Sequence, residues 1–323
     1  MIKLHFLLKT LLLGIFAISI YSCSKDRLIP IEVNTLVEEV NPFKDKVFEY
    51  PYNLPLLPKL ASKAEKLRIN SVNDLPITTK KGTKLWIYES NVRTPQNGSV
   101  TYPFDIEIIE LYTLKDMLLH RKPTVSFSRM LVTGGAIYLN VSKNGTSLIA
   151  NAQNLPNISV PANRPDRNMW LFYGAMDNQD NFTWAEAPID TIRNDTIKKV
   201  QPIFAGKGTY ELFPKRFGWI NCDKFYDYAG EKTSVSFVSP KLGLENILIF
   251  MVFPNINSVI QVYQGQSIDI PVGEDVKIIA LAQTKNGEVF AFFKDIKVEK
   301  KQTVEIDLKA STEKEVLEAL DKL

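Results

Sequence analysis

The sequence predicts an all-β protein: two antiparallel β-sandwich domains, with a short helix at the C-terminal end. Three observations point there. Apolar and polar residues alternate over short runs such as Asp105-Ile106-Glu107-Ile108-Ile109-Glu110-Leu111, the pattern of a half-buried strand. Asn97-Gly98, Asn144-Gly145 and Asn286-Gly287 fall between such runs, where their tolerance of positive φ suits a tight type I′ hairpin and hence antiparallel pairing. No fixed-period repeat is present, which sets aside solenoids and propellers. With 323 residues, 45% of them apolar, the chain has material for one large or two ordinary cores.

The elements follow in order. Lys3 and Lys9 precede an apolar run from Leu11 to Tyr21, the layout of a secretory signal peptide spanning residues 1–22. That run is too short for a bilayer, which takes ~20 residues. Ile20-Tyr21-Ser22-Cys23 resembles the lipobox of bacterial lipoproteins, in which the cysteine becomes the lipidated first residue. Cys23 is therefore the expected lipidation site, and its acyl chains supply the two anchoring signals that stable membrane attachment requires. Ser24-Lys25-Asp26-Arg27 resembles the charged tag of surface-exposed lipoproteins of Bacteroidota. The resemblance implies an outer-membrane protein facing the cell surface rather than the periplasm.

From residue 23 to 60 the prolines at 30, 42, 51, 55 and 58 interrupt helix and central strand alike, so the segment reads as a tether. About 25 extended residues would reach ~80 Å. A first sandwich is expected over 61–190, with strands at Lys84 to Tyr88, Asp105 to Leu111 and Ala136 to Val141, and core residues Leu85, Ile87, Ile106, Ile108, Leu111, Ile137 and Leu139. Thr113 and Asp116 mark a helix running to His120. The polar stretch from Asp190 to Lys199 and the flexible Gly206-Lys207-Gly208 read as a linker over 191–208.

The second sandwich, 209–323, carries strands at Ser234 to Val238, Asn246 to Phe253, Ser258 to Tyr263, Val276 to Thr284, Glu288 to Lys294 and Thr303 to Leu308. Their number and spacing fit an immunoglobulin-like or transthyretin-like arrangement. A tail helix starts at Thr312, which forms a capping box with Glu315 and presents Val316, Leu320 and Leu323 on one face.

Three landmarks carry a wider resemblance: Tyr102 to Tyr112 with Lys115 to Leu119, Thr133-Gly134-Gly135-Ala136-Ile137-Tyr138, and Phe217-Gly218-Trp219-Ile220-Asn221-Cys222-Asp223. Together with Asn168 to Gly174 they resemble a group of uncharacterised Bacteroidota lipoproteins over most of residues 65–225. The resemblance implies a cell-envelope protein built of β-sandwich modules. The first domain is also distantly similar to the sandwich domain shared by ankyrins and netrin receptors, without that domain's Pro-Gly-Ala motif around Glu89 to Val92.

Composition narrows the chemistry. Lys plus Arg total 39 against 36 Asp plus Glu; two of those lysines lie in the leader, so the rest is close to neutral and offers no basic field for nucleic acid. His5 and His120 are the only histidines, too few for a zinc site or most triads. Cys222, between aromatic residues, reads as a small buried hydrophobe. His120 reads as a helix C-terminal residue on the dipole, and Asp177 to Asn181 as a polar hairpin turn. Asp105 and Glu107 lie on the solvated side of their strand, although paired carboxylates would also suit a hydrolase. No nucleotide-binding glycine signature is present.

What remains is aromatic. Trp170, Tyr173 and Trp184 flank the Asp177 to Asn181 turn and are the candidate binding residues, placed to stack on a sugar or anchor a protein; packing in the core is the other use of the same rings. The expected function is that of a non-enzymatic interaction or accessory module of the envelope without cofactor. Its partners would be the membrane through the lipid and an envelope protein or a glycan. Carbohydrate or peptide capture is the alternative.

Overall fold

The computed structural model describes residues 41–187 and 203–323; the leader, Cys23 and the start of the expected linker lie outside them. The protein is all-β, with mostly antiparallel sheets stacked as sandwiches and a short C-terminal helix.

The first sandwich pairs two sheets. One runs in the order Glu65–Ile69, Phe104–Leu111, Arg129–Lys143, Gly218–Phe225, Trp170–Met176, Phe182–Glu186. Opposite lies the sheet Phe204–Ala205, Thr209–Leu212, Asn157–Pro161, Lys84–Trp86, Ile77–Thr78. Alternation fills the space between them: Ile106, Ile108, Ile137 and Leu139 meet Leu85, Ile158, Val160 and Leu212 in one cluster. Asp105 and Glu107 take the solvated positions of the same strand, as the pattern predicts. At Asn144-Gly145 both residues have positive φ, 51° and 77°, the type I′ turn expected between Arg129–Lys143 and Thr146–Ser147. The other two Asn-Gly pairs each have one residue with positive φ, and their loops close on Thr94 and Thr284.

The third sheet, in the order Ser258–Val262, Leu248–Phe253, Asp275–Gln283, Val289–Lys297, Lys309–Ser311, is covered on both faces over its centre. Ile249, Met251 and Phe253 point to a cluster with Val235, Phe237, Ile270 and Val304, carried by two short two-stranded pieces, one of them a parallel pair of Ser236–Val238 with Thr303–Glu305. Leu248, Phe250 and Val252 point the other way. This accounts for the unbroken run Leu-Ile-Phe-Met-Val-Phe, in which every residue is buried: a strand with two dry faces has no polar positions.

The second face of that sheet meets three helices, α1 (Leu56–Leu60), α2 (Leu114–Leu119) and α3 (Glu313–Leu320), together with Leu111, Phe172 and Trp184 of the first sandwich. Both helices read from the sequence are present with their caps: Thr113 accepts from the Asp116 amide, and Thr312 and Glu315 form the capping box. Lys59 bonds Glu313 at 2.6 Å, tying α1 to α3.

Three boundaries differ from expectation. The tether does not extend to residue 60: Phe43, Phe48, Leu54, Leu56 and Leu57 are buried, the Glu49 amide donates to the Gln283 carbonyl at 2.8 Å, and the Leu56 amide to Gln283 Oε1 at 3.0 Å. The prolines there shape a close-fitting strap rather than a free leash; Pro58 sits in the first turn of α1, where no amide is needed. Second, Thr209–Leu212 and Gly218–Phe225, assigned by sequence to the second domain, pair with Asn157–Pro161 and Arg129–Lys143 in the first. The polar stretch before them interrupts the first sandwich instead of ending it. Third, the chain from Asn41 to Leu323 is one compact unit, because the seam between the sandwiches is filled with hydrophobic residues from both.

Candidate functional site

α2 ends at His120, its C-cap, and Arg121 turns the chain with φ 52°. Thr124 is then stitched to the edge strand of the third sheet: its amide donates to the Val259 carbonyl at 2.7 Å, and its Oγ1 accepts from the Val259 amide at 2.8 Å. This fixes the hairpin tip Phe127-Ser128 beside the hairpin Trp170–Met176/Phe182–Glu186, where the Phe127 amide donates to Thr183 Oγ1 at 2.6 Å.

Between this tip, the Asp177 to Asn181 turn and the edge strand Ser258–Val262 with its following loop lies a cavity of about 580 Å³. A second hollow of about 350 Å³ adjoins it, and Gln261, Tyr263 and Gln264 line both. Tyr52 stacks nearly parallel to Tyr263, with centroids 6.0 Å apart, Tyr50 lies 4.9 Å beyond, and the Arg121 guanidinium rests 4.9 Å over Tyr52. Burial, then the neighbouring Tyr52, raises Tyr263 well above its ordinary value, so it stays a neutral phenol.

Two features single this cleft out. Gln261 is only 5% exposed and its Oε1 has no hydrogen-bond partner, an arrangement that costs ~1–3 kcal/mol of unrecovered desolvation. Phe127, 61% exposed, holds φ 54°, a region that bulky side chains avoid; such strain gathers at ligand-handling loops. Gln264, also with φ 54°, is on the same rim.

The sequence-predicted binding residues do not converge here. Trp184 is fully buried, with Nε1 donating to the Pro123 carbonyl at 2.9 Å. Tyr173 is 1% exposed, its hydroxyl accepting from the Lys215 amide at 2.8 Å. Both rings are core, because their strands lie inside the sheet and along the seam, and neither can stack on a ligand. Trp170, 42% exposed, pairs with Asp223 across its strand and lines neither hollow. The hairpin turn between these rings does reach the cleft, but the rings that line it are Phe127, Phe182 and Tyr263. Gln261 left one sequence signal, a polar residue inside an apolar strand.

The other candidates are structural. Cys222 is buried, and burial raises its thiol well above the ordinary value. Burial lowers His120, whose Nε2 lies 3.3 Å from Ser62 Oγ. Lys122 sits over Phe182 and Trp219 at 4.0 and 4.8 Å, and burial, with the Arg121 charge, lowers it to about 8. Among the described residues no cluster of His, Cys, Asp or Glu is placed to hold a metal ion, and no helix is long and apolar enough to cross a membrane. Cys23 lies outside the described residues. No protein family, no curated protein and no solved structure matches the chain.

Proposed function

We propose that the protein is an outer-membrane lipoprotein that serves the cell envelope as a non-enzymatic binding or accessory module, displayed at the surface through acyl chains on Cys23. The cleft between the Phe127 tip, the Asp177 to Asn181 turn and the edge strand Ser258–Val262 holds its ligand. The observation that carries this reading is the buried, unpartnered Gln261 Oε1 in the lining of a cavity of about 580 Å³, a size typical of ligand sites. Concavity favours a chain threaded into the cleft over a flat protein face.

Two of the three acids on the strand Phe104–Leu111 are engaged in the fold. Glu110 accepts from Thr79 at 2.7 Å and from Thr83, and Asp105 bonds Arg68 at 2.6 Å. This supports binding over turnover by paired carboxylates. Seventeen residues lie between Cys23 and Asn41, a chain length that spans at most ~60 Å. Changing Cys23→Ala tests the anchor: the protein is expected to move from the membrane to the soluble fraction, and unchanged fractionation refutes lipidation.

A further inference from the structure

We infer that the occupant of the cleft is an uncharged oligosaccharide, an assignment that rests on the cleft being the binding site. Three properties of the lining lead to it. The first is charge. Among the described residues, Asp177 is the sole carboxylate lining the larger hollow, and no lysine or arginine lines it. Asp177 is spent on its own turn: Oδ1 accepts from the Gln179 and Asn181 amides at 2.8 and 2.9 Å, and Oδ2 from Asn181 Nδ2 at 3.2 Å. A phosphorylated, sulfated or uronic ligand would meet no cation there, whereas anion sites are built from Arg and Lys forks.

The second is the kind of polar group. Asn178, Gln179, Asn181, Gln261, Gln264 and Gln266 line this one hollow, with Asn181 Nδ2 given to Asp177 and Gln266 Nε2 to Ser234 Oγ. Side-chain amides donate and accept at once, the complement of a sugar hydroxyl, which does the same. Asn178 and Gln264 make no side-chain hydrogen bond among the described residues. Gln261 Oε1 is an acceptor awaiting a donor, and a ligand hydroxyl satisfies it without bringing a charge.

The third is the ring surface. Phe127 projects at the mouth, Phe182 and Tyr263 line the wall, and Tyr263 lines both hollows, stacked on Tyr52 of the second. Aromatic faces suit the apolar C–H face of a pyranose ring. Two adjoining hollows that share one tyrosine suit at least two sugar units.

An extended peptide is the competing occupant, since a sheet edge invites strand addition. This edge is closed at both ends. Thr124 occupies both main-chain groups of Val259, and the Tyr263 carbonyl accepts from the Gln266 amide at 3.3 Å. Main-chain groups alternate in direction along an antiparallel strand, so Gln261 alone is left facing outward between them, and one residue cannot seat a strand.

The test is calorimetric titration of the full-length protein, solubilised in a polyoxyethylene detergent that carries no sugar headgroup. Three sets of probes are used: neutral hexasaccharides of glucose, mannose, xylose and N-acetylglucosamine; acidic hexasaccharides of galacturonate and heparin; and uncharged hexapeptides. The expected result is binding of at least one neutral hexasaccharide, weakened at least tenfold by Gln261→Leu and by Phe127→Ala, with both variants keeping the wild-type melting transition. Binding confined to acidic sugars or peptides, and lost in the same variants, overturns the uncharged-sugar assignment while keeping the cleft. Binding of a neutral sugar that survives both substitutions overturns the cleft itself. The absence of binding by every neutral hexasaccharide also overturns the inference.

Discussion

Asp223 and Gln261 each bury an oxygen that lacks a hydrogen-bond partner, yet their surroundings are opposite. Asp223 lies in the first sandwich on the strand Gly218–Phe225, at a register shift beside Asn221, whose Nδ2 donates to its Oδ2 at 2.6 Å. It is fully buried, and burial pushes its carboxyl up to about 8. Gln261 sits where packing stops, in the wall of two hollows. The buried Asp223 carboxyl is answered by protonation; the Gln261 oxygen, beside a hollow, is on the reading proposed above answered by a ligand. Polarity alone therefore does not mark a binding site. The neighbouring volume decides.

The largest effect that would sharpen this contrast comes from packing. Trp184 is one residue beyond Thr183, which lines the cleft, and belongs wholly to the closed seam. Trp184→Ala is expected to cost ~3–5 kcal/mol in denaturant unfolding, while Trp170→Ala stays within ~0.5 kcal/mol. Equal losses would show that the exposed and buried tryptophans do not differ as described.

Next come the two oxygens themselves. Asp223→Leu strands the Asn221 amide and is expected to destabilise by ~2–3 kcal/mol. Gln261→Leu, which removes an oxygen already unpaired, should leave stability unchanged or slightly raised. A large loss at Gln261 would mean that its amide supports the fold.

The third separation is by pH. Asp223 has a folded pKa above its unfolded value, so the native state binds the extra proton: this group's contribution to stability is greatest below about 4 and falls as pH rises toward about 8, by ~1.4 kcal/mol per unit for one proton. Above about 8 that contribution is gone. In Asp223→Asn the slope between these limits should be shallower than in the wild type by one proton's worth, as read from melting temperatures across the range; identical profiles would contradict a buried acid. Gln261→Leu should leave the wild-type slope intact. The smallest effect is at the rim, where Phe127→Gly relieves a left-handed backbone and should stabilise by ~0.5–1 kcal/mol.

Much of the fold was legible because its strands and helices announce themselves locally. Leu248–Phe253 stands out as an apolar run, Phe104–Leu111 as an alternation, and α2 and α3 by their caps. What escaped was set by distant contacts. Proline at 51, 55 and 58 says that no long element runs there, but not that Leu54, Leu56 and Leu57 press into a seam built from strands two hundred residues away. The same blindness explains the aromatic candidates: composition located the hairpin that borders the cleft, and only the stacking of layers shows that Tyr173 and Trp184 face inward. Gln261 was not singled out from the sequence: a polar residue inside an apolar strand carries no meaning by itself, since the hollow beside it is made jointly by three separated segments.

The doubly covered sheet also constrains how the molecule is made. The strand Leu248–Phe253 offers six consecutive apolar side chains, a segment prone to self-association whenever it is bare. The cluster that buries one of its faces includes Val316 and Leu320 of α3, well downstream in the chain. A chain in which α3 has not yet been made cannot shield that strand fully, so its safe burial waits on the synthesis of that downstream helix.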